Sequence, residues 1–393
     1  MSAEGARPDR FDGVAVAGIG ETGYFKRGTA GRGAIGLCTE AVIRACEDAG
    51  IDPRDVDGVA SYGDDENDGP NMSAALGLRE LRWSTLVWGG GGGGLCAAIA
   101  QAASAIVSGQ ARRVIVLRGH AEGSGQRLSV AVSEYYMGSH YRAHGIISPA
   151  QVCAMRTRRL FDHDGVPASA MRALAQACYR HAKANPGALG RDVDLTDEVY
   201  ESSRWIAEPY HLYDCSREND GAAALLLTSA DDAANLNQPP VHLVAATQSN
   251  PPGWGVLLEN DEDYTSAGFR LAAERLWEAT GLGPEDIDVT QVYENFSGAA
   301  VASLIDHGFC TPENAGEVLT LENLCAPSGG LPINTSGGSL GEGFVHGIGL
   351  ALEAVGQIRG SSHNQVPDAK TSLLIGGPVA PFVSSAIFAK EPL

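Results

Sequence analysis

Positive charge is scarce in this chain. Twenty-eight Lys and Arg stand against 48 Asp and Glu among 393 residues, a formal net charge of −20. A surface of that sign repels phosphate backbones and anionic lipid headgroups, which argues against nucleic acid and the membrane surface as partners. Paired cysteines are lacking too. None of Cys38, Cys46, Cys96, Cys153, Cys178, Cys215, Cys310 and Cys325 forms a C-x-x-C pair or takes zinc-finger spacing with histidine. Most lie in apolar helical stretches, where a thiol packs as a small hydrophobe, so no metal is expected and a reducing cytoplasm is the expected setting. The first residues, MSAEGARPDRFDG, lack the apolar stretch of a signal peptide. The longest apolar run, Leu95 to Val107, is Ala-rich and too short to span a bilayer. No glycine run leads into Gly-Lys-Ser/Thr, so a Walker A nucleotide site is excluded.

What is present is an ordinary globular composition, 44% hydrophobic and 19% charged, in a chain long enough for two domains or one large duplicated one. The duplication is legible. Ala49-Gly-Ile-Asp-Pro-Arg-Asp-Val-Asp57 returns as Thr280-Gly-Leu-Gly-Pro-Glu-Asp-Ile-Asp288, 231 residues later. In each copy an amphipathic helix, about 33–49 and 266–280, ends at a glycine suited to a left-handed cap. A Pro-containing turn and an apolar strand follow, Val56 to Tyr62 and Ile287 to Tyr293. Each half then offers a glycine-rich turn, a long helix (Leu95 to Ser108; Val345 to Arg359) and a strand (Arg113 to Arg118; Ser372 to Ile375). Strand–helix alternation of this kind predicts α/β layers with buried sheets. Two such halves, 1–235 and 236–393, stacked through their helices predict a five-layered α-β-α-β-α body. An inserted region from about 120 to 215 interrupts the first half, with helices over Ser169 to Asn185 and Asp197 to Ile206.

Several segments carry chemistry or mimic it. Gly18-Ile-Gly-Glu-Thr-Gly23 matches the dinucleotide fingerprint literally, but the next helix starts only near Gly33, so it reads as a turn after the first strand. Six consecutive glycines, Gly89 to Gly94, imply a strained turn or a backbone that something approaches closely. At a helix N-terminus their N–H groups suit a thioester oxygen or an enolate; tight packing at a subunit contact is the bland alternative. Tyr293 closes the strand of the second repeat, at the strand end where α/β proteins place reactive groups, and a phenol there serves as acid, base or donor. The glycine-rich stretch Asn334 to Gly347 holds one group that titrates near neutrality, His346.

Taken together, Val14 to Gly23, Asp220-Gly-Ala-Ala-Ala, Tyr293-Glu-Asn-Phe296, Asn334-Thr-Ser-Gly-Gly338 and Leu374-Ile-Gly-Gly377 resemble the thiolase superfamily over essentially the whole chain, and most of all its sterol-carrier or lipid-transfer branch. The resemblance implies the thiolase fold, coenzyme A as acyl carrier within the substrate rather than a tightly bound cofactor, and a homodimer. It also implies losses. The nucleophilic cysteine falls near Gly91 or Gly92, the Asn or His after the late strand at Tyr293, the Gly-His-Pro histidine at Phe344 and the second cysteine at Leu374. Cys96 lies inside the following helix and is read as packing.

Without that thiolate, Claisen condensation through an acyl-enzyme is not expected to survive, whereas an oxyanion site that stabilises a thioester enolate is, which is what a retro-aldol cleavage needs. The chain is similar to the thiolase-like aldolases that remove steroid side chains. These work with a small OB-fold, zinc-ribbon acyl-CoA-binding partner, giving a heterotetramer. On that reading Tyr293 and His346 are catalytic, and Gly91, Gly92, Gly93, Phe344 and Gly377 form the substrate and oxyanion site. Phe344 moves no proton, so His346 or one of Tyr135, Tyr136 and Tyr141 takes the second proton-transfer role. The alternatives are a non-catalytic acyl-CoA- or lipid-binding subunit and an acyltransferase with an atypical nucleophile.

Overall fold

The computed structural model describes residues 9–63, 67–87, 91–121, 123, 138–250, 264–266, 268–377 and 382–393. In chain order its strands are β1 (Val14–Glu21), β2 (Phe25–Lys26), β3 (Gly58–Tyr62), β4 (Trp83–Val87), β5 (Val114–His120) and the hairpin β6 (Trp205–Ala207) and β7 (Tyr210–His211). They continue with β8 (Asn219–Ser229), β9 (Val241–Ser249), β10 (Val289–Val292), β11 (Thr371–Gly376) and β12 (Val383–Ala389). Nine of them run β10-β11-β12-β9-β1-β8-β5-β3-β4, with β2 beside β8. The duplication is visible in the ladders. In the first half β3 pairs parallel with β5, and β8 lies antiparallel between β5 and β1. In the second, β10 pairs parallel with β11, and β12 lies antiparallel between β11 and β9. The halves join where β1 meets β9, through Ala15 opposite His242 and Val16 opposite Val241.

Side chains alternate across each strand, so a sheet covered on both faces feeds two cores. Leu373 and Ile375 of β11 enter one core while Leu374 between them enters another. Three cores result. The helix Ala34–Ala49 packs Leu37, Cys38 and Val42 on Ala15, Ile115 and Leu226. The helices Leu95–Val107 and Ile348–Arg359 fill the space between the half-sheets, against Val116 and Leu225 from one and Leu374 and Phe388 from the other. The helices Phe269–Thr280 and Ser297–Asp306 cover the far side of the second half. The order is α-β-α-β-α, as the repeats imply.

The repeated turns coincide. Gly50 and Gly281 both cap their helices in the left-handed region, at φ 76° and 72°. Single 3-10 turns, Pro53–Asp55 and Pro284–Asp286, follow them. Three expectations are corrected. The last long helix begins at Ile348 rather than Val345, because Gly347 at φ 83° caps it; a separate short turn, Gly338–Gly341, precedes it. The helix at Asp197 stops at Glu201, since Trp205–Ala207 pairs with Tyr210–His211 instead. Gly18 and Gly20 are not a turn but lie within β1, where Cβ atoms would sit 2.1 and 2.4 Å from carbonyl oxygens of the first helix. They are glycine because that helix packs directly on the strand.

The inserted region interrupts the first half in sequence but packs on the second. Leu174 and Cys178 of the helix Ala168–Ala184, with Tyr210, share a core with Val292, Phe296 and Leu304. Buried Asp214 pins it there, accepting the Ser297 hydroxyl at 2.5 Å and the Tyr200 hydroxyl at 2.7 Å.

Candidate active site

The strands β3, β5 and β10 end on one side of the molecule, and the glycine turn and the Phe344–Gly347 loop meet there. Gly91–Gly94 forms one 3-10 turn running into the helix Leu95–Val107. Its glycines are required by what approaches them. A Cβ on Gly92 would lie 2.4 Å from Cε2 of Tyr293, and one on Gly94 would lie 2.8 Å from Cβ of Tyr62. Gly377, at φ 91°, presses on Gly93, where its Cβ would come 2.6 Å from the Gly93 Cα. Ser384 ties the turn down, donating to the Gly93 carbonyl at 2.6 Å and accepting the Cys96 N–H at 3.1 Å. Gly89 and Gly90 lie outside the described residues.

Gly91 differs from its neighbours. Its φ of +54° favours glycine, yet a Cβ there would meet no atom closer than 3.4 Å. The atoms around that point are Cδ2 and Nε2 of His346, at 3.4 and 3.6 Å, and the hydroxyl of Tyr293 at 3.7 Å. The two side chains singled out from sequence thus converge on one spot, above Cα of Gly91. Phe344 forms a wall of the same site, with its ring centroid 6.2 Å from Tyr293 and 5.2 Å, edge-on, from His346.

Burial governs the electrostatics. It pushes the Tyr293 phenol well above the ordinary tyrosine range, with the Gly92 N–H facing its oxygen working the other way. The phenol therefore stays protonated near neutrality. Burial also holds His346 and His120 well below the ordinary histidine range, and the buried Arg118 guanidinium adds to both. Glu294, the neighbour of Tyr293, accepts the Leu340 N–H at 3.2 Å and is raised to about 7 by burial.

Three residues that sequence reasoning did not assign to the site lie within hydrogen-bonding distance of His346. Arg118 Nε lies 3.2 Å from His346 Nδ1, and His120 Nε2 lies 3.1 Å from the same nitrogen. The Tyr62 hydroxyl donates to the His346 carbonyl at 3.0 Å. The available signal was a charged and an imidazole side chain, Arg118 and His120, closing the otherwise apolar strand β5.

Cys96 is in the first helical turn, nearer the helix start than expected, but its thiol faces the Leu374 carbonyl at 3.6 Å and burial pushes it to about 12. Burial outweighs the helix dipole, so it remains a packing residue. Tyr141 is half-buried in the short helix Gly138–Ala143; Tyr135 and Tyr136 lie outside the described residues. Among the described residues no cluster of His, Cys, Asp and Glu is arranged to hold a metal, and no helix is long and apolar enough to cross a membrane.

The site therefore gathers a protonated phenol and a neutral imidazole above Gly91, within a fold that known proteins share. Residues 254–389 match the family model described as thiolase C-terminal domain-like. The chain is 34% identical over 388 residues to the 17-hydroxy-3-oxo-4-pregnene-20-carboxyl-CoA lyase of Mycobacterium tuberculosis, covering 94% of this chain and 97% of that one. It is likewise 34% identical to the steroid side-chain-cleaving aldolase of Thermomonospora curvata, covering 94% and 96%. Its structure superposes on the solved Ltp2-ChsH2(DUF35) aldolase with a TM-score of 0.88 and 32% identity, covering 98% of this chain and 100% of that one. The chain belongs to the thiolase superfamily, in its branch of thiolase-like steroid side-chain-cleaving aldolases.

Proposed function

We propose that this protein is a carbon–carbon lyase that cleaves a β-hydroxyacyl-CoA, a steroid side chain, by retro-aldol reaction into a ketone or aldehyde and a short acyl-CoA. One observation carries the reading. The space a cysteine side chain would occupy at Gly91 is bounded instead by a neutral phenol and an imidazole. Such a site lacks a group to hold an acyl chain covalently, yet is suited to an enolate oxygen. In the reaction the β-hydroxyl gives up its proton and the Cα–Cβ electron pair passes into the thioester carbonyl. The resulting enolate takes a proton at Cα, and no free coenzyme A is consumed. Tyr293, whose burial keeps the phenol protonated at rest, supplies that last proton. The base that receives the hydroxyl proton is assigned to the inserted region, with Tyr141, Tyr135 and Tyr136 as candidates. Gly93 contributes a backbone N–H, while the Gly92 N–H faces the Tyr293 oxygen and holds that phenol at the site; Phe344 and Gly377 shape the wall and floor.

Coenzyme A enters as part of the substrate, and no tightly bound cofactor is required. The superposition on a two-component aldolase supports a partner subunit, which we read as a small OB-fold, zinc-ribbon acyl-CoA-binding protein completing a heterotetramer around a homodimer. The chain reads as two halves, 1–235 and 236–393, meeting between β8 and β9. Eight free cysteines support a cytoplasmic setting.

The test is mass spectrometry of products from the purified protein, with and without an OB-fold partner, on steroid and non-steroid β-hydroxyacyl-CoA and β-ketoacyl-CoA thioesters. Short acyl-CoA plus carbonyl product, formed without free coenzyme A, is the expected result. Cleavage that needs free coenzyme A would instead mark thiolase-type transfer, and no turnover a binding subunit.

A further inference from the structure

We infer that Arg118 and His120 hold His346 as a neutral imidazole carrying its proton on Nε2, so that His346 serves the reaction as a hydrogen-bond donor to the thioester oxygen and not as its base. The inference rests on the retro-aldolase reading and assigns one of its groups.

The argument starts from Arg118. A guanidinium keeps its protons at any physiological pH and offers no acceptor. Its Nε lies 3.2 Å from His346 Nδ1, so that nitrogen presents a lone pair. A proton on Nδ1 would set two N–H groups against each other, and in the doubly protonated ring it would add a second cation beside a buried first one. The single proton of the neutral ring is thus on Nε2. His120 Nε2, 3.1 Å from the same Nδ1, must also present N–H, which fixes its tautomer as well.

Every other titratable group facing the ring agrees with this. From β3, the Tyr62 hydroxyl holds the main chain, where His346 sits at φ 47°, by donating to its carbonyl at 3.0 Å. From the end of β10 comes the protonated Tyr293, and from β5 come Arg118 and His120 themselves. Phe344 closes the remaining side with an apolar ring. No carboxylate faces the imidazole among the described residues, and burial followed by Arg118 opposes protonation.

The Cδ2–Nε2 edge of His346 borders the position above Gly91, with Cδ2 at 3.4 Å and Nε2 at 3.6 Å from where a Cβ there would lie and the Tyr293 hydroxyl at 3.7 Å. As the Cα–Cβ bond breaks, negative charge appears on the thioester oxygen. An Nε2–H there stabilises it without giving up its proton. Arg118 and His120 touch no reacting atom on this account and are positioning residues.

Two measurements test it. In protein labelled with 15N-histidine, the His346 signals, identified by their loss in His346→Gln, should report a bare Nδ1 and a protonated Nε2. They should not titrate between about pH 5.5 and 8, and Arg118→Gln, which removes the donor that faces Nδ1, should let a signal from the Nδ1-protonated tautomer appear. In the assay, the amide nitrogen of His346→Gln mimics Nε2–H. That variant should keep kcat within about tenfold of wild type while His346→Leu loses about 100-fold or more, since an amide donates but cannot act as a base. Titration of wild-type His346 in the window, a protonated Nδ1, or equal loss in both variants overturns the inference and leaves the aldolase reading standing. Expected nuclear resonance signals in a protein that cleaves no β-hydroxyacyl-CoA would overturn the aldolase reading, and the donor role with it. The resonance measurement uses His346→Gln only to identify the signal and reads the tautomer in the wild-type protein.

Discussion

Tyr62 and Tyr293 occupy the same position in the two halves, 231 residues apart, and each reaches across to the loop of the other. Tyr62 ends β3 of the first half and hydrogen-bonds the His346 carbonyl of the second. Tyr293 follows β10 of the second half and lies against Gly92 of the first. The site is therefore assembled by a crossed pair in which one phenol has become scaffold and the other is left facing the reaction space.

That division predicts a sharp effect for Tyr293→Phe. Removing the hydroxyl should lower kcat by about 100- to 10,000-fold, the range of a lost proton-transfer group. Acyl-CoA binding by calorimetry and the thermal midpoint should change little, because the ring still fills its place beside Gly92. Unchanged turnover would remove Tyr293 from the mechanism.

The two neighbouring glycines should respond differently to one methyl group. Gly92→Ala drives a Cβ to 2.4 Å from the Tyr293 ring, so the ring or the turn must move; about 1–3 kcal/mol of stability and most of the activity should go. Gly91→Ala meets nothing closer than 3.4 Å and costs only the left-handed backbone, about 1–2 kcal/mol. Its methyl nevertheless occupies the spot between His346 and Tyr293, so activity should be lost with binding of product acyl-CoA retained. Chemical denaturation and single-turnover kinetics on both variants separate the two cases.

Glu294 predicts a pH dependence of stability. Burial raises its carboxyl from the ordinary 4.5 to about 7, so between those values the folded chain holds a proton that the unfolded chain has released. Its contribution is full below about pH 4.5 and is lost as pH rises through about 7, amounting to about 3 kcal/mol at most. Glu294→Gln has no proton to lose. The difference in thermal midpoint between variant and wild type should move in favour of the variant from pH 5 to 8. Asp214, raised to about 6 by burial, contributes a slope of the same sign to both proteins. A parallel pair of pH curves would show that Glu294 is not buried as described.

The duplication was readable because it is written in local chemistry. A left-handed glycine and a proline turn recur at Gly50-Pro53 and Gly281-Pro284 whatever the tertiary context. The glycine turn announced that something comes close, and the structure supplies Tyr293, Tyr62 and Gly377 as the reasons. What sequence reading missed lies in long-range geometry. Arg118 and His120 reach a histidine more than 220 residues away, and no periodicity links them to it. The helix start at Ile348 was misjudged because Gly347 takes a positive φ that nothing in the apolar pattern reveals. The strand at Trp205 was read as helix because its pairing partner, Tyr210–His211, decides its conformation.

Loss of the cysteine position also changes what can poison the protein. An enzyme that works through a thiolate is open to peroxide, alkylating agents and heavy metals, because the ionised sulfur that reacts with substrate reacts with them as well. Here the described atoms around the position above Gly91 are those of His346 and Tyr293, and burial pushes the Cys96 thiol to about 12. Chemistry carried by a phenol and an imidazole offers such reagents no ionised sulfur to attack.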